Sequence, residues 1–132
     1  MPATSPTTRT RAALIAALLV GGCVTGGFGA RETIADITKG RAPGPPQRCV
    51  STALLDNPRI VDERTIAWTR GATIYVNNLP SECPGLRPTA TIVSEIYGSQ
   101  QCAGDLFYTI DAPSRIPGPR CRLGEFVPYP RP

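Results

Sequence analysis

Histidine is absent from this 132-residue chain. That removes the Ser-His-Asp triad, the Cys-His dyad and every imidazole metal ligand together. Neither a Gly-x-Ser-x-Gly elbow nor a phosphate-binding glycine loop is present. No apolar run approaches the roughly 20 residues that a membrane-spanning helix needs. Cysteines never occur as a C-x-x-C pair, so zinc and dithiol redox chemistry lack their usual frame. Acids are not clustered at alternate positions, as a calcium loop requires. Lysine is nearly absent too: Lys39 stands alone among 14 basic residues, which reads as coding bias rather than a site. The net charge is only +4, with no basic run or stripe, so nucleic acid is not an expected partner. What remains for catalysis is carboxylate chemistry from Asp62, Glu63, Glu95, Asp105 and Asp111. A paired-carboxylate hydrolase needs two of them facing a cleft, and scattered solvated acids are the simpler reading. Asp105, in Ala103-Gly104-Asp105, reads as a turn residue. No catalytic residue, metal or cofactor is implied.

The N-terminus carries an export signal. Arg9 and Arg11 precede nine apolar residues, 12–20, and no acid comes before them. The run then breaks at Gly21-Gly22. Val20-Gly21-Gly22-Cys23 resembles the bacterial lipobox, in which the cysteine is acylated and becomes the mature N-terminus. Residues 1–22 are therefore expected to be a lipoprotein signal peptide, with Cys23 the lipidated residue and a multi-chain anchor in the membrane. Val24, which is not an acid, favours outer-membrane sorting by the same resemblance. The alternative is ordinary secretion, with cleavage after Gly26 or Gly29 and a soluble periplasmic or secreted product.

Removing Cys23 leaves Cys49, Cys83, Cys102 and Cys121. An even number in a small exported domain implies two disulfides, each contributing on the order of 2–4 kcal/mol. Three pairings are possible. A nested arrangement, Cys49 with Cys121 and Cys83 with Cys102, is the expectation, because it ties the two ends of the domain.

Glycine and proline number 13 and 15, so turns and loops should dominate over long helices. Residues 23–46 read as a lipidated N-terminus and flexible tether. Within it, residues 32–38 form at most a helical turn or two. A coil of about 25 residues spans roughly 25–30 Å. Residues 47–132 read as one small β domain. Its clearest element is a hairpin, residues 65–69 and 72–77 around Arg70-Gly71. A two-residue loop there would set Trp68 opposite Thr73 and Ile66 opposite Tyr75, with Ala67, Ile74 and Val76 on the other face. A proline-rich loop, 79–86, is pinned by Cys83. Further strands are expected at 89–96 and 106–110, and an extended segment at 120–127. Residues 51–55 read as a helical turn. The expected fold is mainly β: a small antiparallel sheet or barrel stapled by two disulfides.

From Arg48 onward the chain resembles a family of small exported, disulfide-containing proteobacterial proteins, a domain of unknown function. The resemblance rests on Arg48-Cys49, Arg64-Thr65, Asn78-Leu79-Pro80-Ser81-Glu82-Cys83-Pro84-Gly85-Leu86, Gln101-Cys102, Gly104-Asp105 and the segment 121–129. It implies architecture and export, and it brings no activity. Trp68 and Tyr75, together with Tyr97, Phe107, Tyr108 and Phe126, could form an aromatic binding surface, although so small a domain needs most large side chains inside. Arg120 and Arg122 flank Cys121 and could bind an anion. The expected function is a non-enzymatic envelope lipoprotein that binds an envelope protein or has a structural role. The alternative is a secreted or anchored inhibitor or ligand-binding module, since small lipoproteins that inhibit lysozyme share its size, anchor and disulfide plan. A protruding serine or acid within 79–86 would favour the inhibitor. An exposed aromatic patch would favour the partner-binding module.

Overall fold

The computed structural model describes residues 31–55 and 58–132. The expected signal peptide, Cys23 and the start of the tether lie outside them. Nine strands form three antiparallel sheets: β1 (Cys49–Ser51), β2 (Arg59–Asp62), β3 (Thr65–Arg70), β4 (Thr73–Asn78), β5 (Ala90–Ser94), β6 (Gln100–Cys102), β7 (Leu106–Asp111), β8 (Cys121–Arg122) and β9 (Phe126–Pro130). Their orders are β2-β3-β4-β9, β5-β7-β8 and β1-β6. The domain is mainly β and stapled by two disulfides, but it is not a closed barrel. A single 3-10 turn, Thr52–Leu54, falls where a helical turn was expected.

The hairpin exists with a different register. Gly71 and Ala72 form its loop, Trp68 lies opposite Tyr75 and Ile66 opposite Asn77. Gly71 has φ +55 and is the first loop residue. A two-residue turn with positive φ only at its first position wants glycine there, whereas a loop at Arg70-Gly71 would have placed an arginine in it. The arms shift by two residues relative to each other, an even number, so the face assignments survive. Ile66, Trp68, Tyr75 and Phe126 point inward and form one core with Phe107, Leu79, Leu86 and Leu123. The Trp68 and Phe126 rings lie 5.6 Å apart at 56°, a tilted contact of about 0.5–1.5 kcal/mol beyond area burial.

The expected segment 120–127 is two strands in two sheets. Gly124 makes the crossing from β8 to β9. Strand β2 lay in a stretch that gave no pattern in the sequence. It has only four residues and a register break between Ile60 and Asp62.

The disulfides are Cys49–Cys102 and Cys83–Cys121, interleaved along the chain rather than nested. The pairing follows from topology. Strands β1 and β6 set Cys49 directly opposite Cys102, with Cα atoms 4.0 Å apart. Strand β8, on the edge of the second sheet, carries Cys121 to the buried Cys83 of the β4–β5 loop.

The tether expectation also needs correction, because residues 31–47 are part of the fold. A four-residue helix, α1 (Ile34–Ile37), starts at a capping box. Thr33 Oγ1 accepts from the Asp36 N–H at 3.3 Å, and Asp36 accepts from the Thr33 N–H at 2.9 Å. The helix lies in a strap across the outer face of the four-stranded sheet. At one end Arg59 of β2 donates to Glu32 at 3.1 Å. At the other, Arg41 donates to the carbonyls of Ala72 and Tyr129 at 2.6 and 3.1 Å. Ala67 and Val76 point away from the inner core yet are 2% and 1% exposed. Between its two anchors the strap crosses this face, with Ile34 and Ile37 half-buried and Thr38 buried. Burial of this second apolar face explains why a helix too short to stand alone in water is held. The chain then runs along β9, where Gly44 N–H donates to Pro128 O and Gln47 exchanges two backbone bonds with Phe126. Because the Pro128 carbonyl points outward, its ring nitrogen does too, where a missing N–H leaves no rung of the β4–β9 ladder unmade.

The hydrogen bond donated by the Thr33 hydroxyl, followed by that from its backbone N–H, holds the Asp36 carboxyl below the usual carboxylate range. A depressed acid stabilises the fold above its unfolded value and loses that contribution as pH falls through its folded one. Acidification below the ordinary carboxylate range should therefore loosen the α1 cap, and Thr33→Ala should remove the effect. Amide exchange at Ile37 and Thr38, followed against pH, checks this. Identical profiles for the two proteins would contradict it.

Candidate binding surface

The expected binding residues separate on inspection. Trp68 and Tyr75 are core residues, 4% and 8% exposed, because the inner face of the hairpin is the floor of the domain. They do not form an aromatic surface. Arg120 and Arg122 do not converge on an anion position. Arg120 Nε donates to Glu95 at 2.8 Å, and Arg122 Nη1 donates to the Gly104 carbonyl at 3.1 Å. Three of the acids are likewise engaged. Asp62 accepts from the Arg64 N–H, Asp105 from the Cys102 N–H, and Glu95 from Arg120. Asp105 is a turn residue, as expected, and it reaches back to Cys102. Among the described residues, no group of three or more Cys, Asp or Glu is placed to hold a metal ion.

One member of the aromatic set does face solvent. Tyr97, in the loop between β5 and β6, is 90% exposed, and its neighbour Ile96 is 42% exposed. The loop exists because β5 and β6 belong to different sheets and the chain must cross between them. Its ends are fixed. Glu95 N–H donates to Leu106 O at 2.9 Å, and Thr52 donates to Ser99 O through both its N–H and its hydroxyl. The Arg120 ion pair holds the Glu95 side chain. Gly98, at φ +99, allows the reversal after Tyr97. Beside the loop is a cleft of about 270 Å³ lined by Leu55, Pro58, Trp68, Ile92 and Ile96, together with Gln101 and Ser94, which are hydrogen-bonded to each other. Trp68 thus lines a surface feature although it is almost wholly buried. The available sequence signal is that Tyr97 directly follows the expected strand 89–96 and precedes Gly98-Ser99, although the strand itself stops at Ser94.

The 79–86 loop is pressed into the domain. Leu79, Cys83 and Leu86 are 2%, 0% and 1% exposed, while Ser81 and Glu82 reach the surface. Two larger clefts, of about 730 and 680 Å³, share Arg31, Val61 and Pro88 and follow the edge strand β2. Their charged lining is balanced: Arg31, Arg59, Arg64 and Arg87 against Glu32, Asp62, Glu63 and Glu82.

The chain matches no family model, no curated protein and no solved structure. Its function is therefore argued from its own residues. Two disulfides mark a protein of an oxidising compartment, outside the cytoplasm. No helix among the described residues is long and apolar enough to cross a membrane.

Proposed function

We propose that this is a non-enzymatic, lipid-anchored protein of the bacterial envelope, acylated at Cys23, and that it binds a protein partner through the Ile96–Tyr97 loop. The observation that carries the binding role is that loop. A tyrosine gives a large amphipathic contact at small entropic cost, and such residues anchor interfaces when a fixed backbone presents them. Fixed ends reduce the ordering cost of association. The adjacent apolar cleft would receive a side chain of the partner. The lipobox-like Val20-Gly21-Gly22-Cys23 supports the anchor, as do the four remaining cysteines, which are consumed in pairs. Outer-membrane sorting is supported by Val24.

Two measurements test this. Intact mass of the protein made with its own N-terminal region in a Gram-negative host should give a chain beginning at Cys23 with acyl groups. A lipid-free chain beginning after Gly26 or Gly29 overturns the anchor. For the loop, a photoreactive residue at Ser99 should give a discrete adduct in intact cells. Tyr97→Ala should abolish that adduct while changing stability by no more than about 0.5 kcal/mol, as expected for an exposed side chain. An adduct unaffected by Tyr97→Ala removes the loop from the interface. A second reading, an inhibitor of an envelope-directed hydrolase, is favoured only by the exposed Ser81-Glu82 step. It predicts that Glu82→Ala, rather than Tyr97→Ala, relieves inhibition of lysozyme.

A further inference from the structure

We infer that the strap holds the β2 edge of the domain against the bilayer surface. The inference rests on acylation at Cys23. A tether reaching to residue 46 would let the domain stand well clear of the lipid. The strap removes most of that length, because the chain is already fastened to the sheet at Glu32 by its bond to Arg59. From Cys23 to Glu32 there are nine residue steps. Fully extended they span at most about 32 Å, and as a coil roughly 15–18 Å. A folded domain of about 100 residues has a radius of gyration near 13 Å, hence a width of about 34 Å, so the leash is shorter than the body it holds. It also leaves the body at one side. Glu32 sits at β2, an edge of the four-stranded sheet, and the strap leads away from there toward β9. The three strand spacings between β2 and β9 amount to about 14 Å. The edge carrying Arg59 and the clefts lined by Arg31 and Pro88 therefore face the headgroups, and the β9 edge faces away.

Length, not charge, imposes this orientation, since the four arginines of those clefts are matched by four acids. The contact should thus persist at high salt, unlike an electrostatic one.

Trp68 provides the readout. It is the only tryptophan, and it lies in β3, next to β2. The full-length acylated protein is placed in phosphatidylethanolamine and phosphatidylglycerol vesicles containing a headgroup-labelled energy acceptor. Strong transfer from Trp68 is expected, unchanged on raising salt. Inserting 20 Gly/Ser residues between Ala30 and Arg31 leaves the strap intact and lengthens the mean reach from roughly 15–18 Å to about 27–32 Å. Transfer should then fall several-fold. If Cys23→Ser floats with the vesicles as well as the parent does, the anchor reading fails and this inference with it. If only the acylated protein floats but transfer is absent, lost with salt, or unchanged by the insertion, the anchor stands and the short leash is wrong.

Discussion

Replacing Cys83 and Cys121 together by alanine should lower the melting temperature by about 15–30 °C. The bridge closes a separation of 38 residues. Chain-entropy arguments assign a loop of that length about 4 kcal/mol, set against about 5–15 kcal/mol for a whole domain. Each kcal/mol is worth about 4–8 °C in a protein of this size. Cys83 is also fully buried and part of the core cluster, so packing is lost along with the constraint. Removing Cys49 and Cys102, 53 residues apart, has a similar entropic cost but a different consequence. That bridge joins β1 to β6, a two-stranded sheet with three paired positions. Two strands alone are marginal in water. Without the bridge, β1 and β6 should separate, and the Thr52–Ser99 bonds that fix the Tyr97 loop should go with them. Thermal unfolding distinguishes the two variants, and partner crosslinking at Ser99 should fail in the second even below its melting point. Peptide mapping of the unreduced protein should recover Cys49 joined to Cys102 and Cys83 to Cys121. Recovery of Cys49 with Cys121, or a melting temperature within a few degrees of the parent for the first variant, refutes this account.

The strands that were legible in the sequence are those whose side chains alternate over five or more residues. Residues 65–77, 89–96 and 106–110 are of this kind; in the hairpin the pleat alone sorts Trp68 and Tyr75 from Ala67 and Val76. Strands of two to four residues carry too few positions for a period, and β1, β2, β6 and β8 were missed or merged with their surroundings for that reason, while the prolines at 128 and 130 hid the five-residue β9. Disulfide partners were not legible because they depend on sheet order. Cys49 meets Cys102 only once β1 and β6 pair. The strap was hidden for a different reason. Its apolar content is two isoleucines and the aliphatic part of Thr38, which signal nothing until a sheet with two apolar faces needs a cover. Ala67, Ile74 and Val76 on the second side of the hairpin were that signal. The site behaves similarly. Exposure of Tyr97 follows from β5 and β6 lying in different sheets, a fact about connection rather than composition.

The largest effect of a single substitution is expected at the corner where the chain passes between sheets. Asn77 is fully buried in β4. Its side-chain amide donates to Gly124 O at 2.7 Å and accepts from Gly124 N–H at 2.8 Å. A side chain thus supplies both bonds that a strand would otherwise give the crossing residue. Asn77→Leu fills the volume but leaves a buried N–H and C=O unpaired, at about 1–3 kcal/mol each. Gly124→Ala attacks the same corner from the other side, since a Cβ there would fall on the Asn78 carbonyl oxygen and force the backbone apart. Both variants should melt far below the parent. Asn77→Asp separates the two bonds. The carboxylate still accepts from Gly124 N–H, but it can no longer donate, and its charge is buried facing a carbonyl. Burial and that carbonyl should raise its folded pKa above the unfolded value. The folded state then binds more protons than the unfolded one, so stability falls as pH rises through the carboxylate range. In the protonated form the hydroxyl can donate to Gly124 O and restore the pair. Asn77→Asp should therefore gain stability on acidification relative to the parent, whereas Asn77→Leu should show no such gain. Parallel pH profiles for Asn77→Asp and the parent would mean that the Asn77–Gly124 pair does not hold the corner.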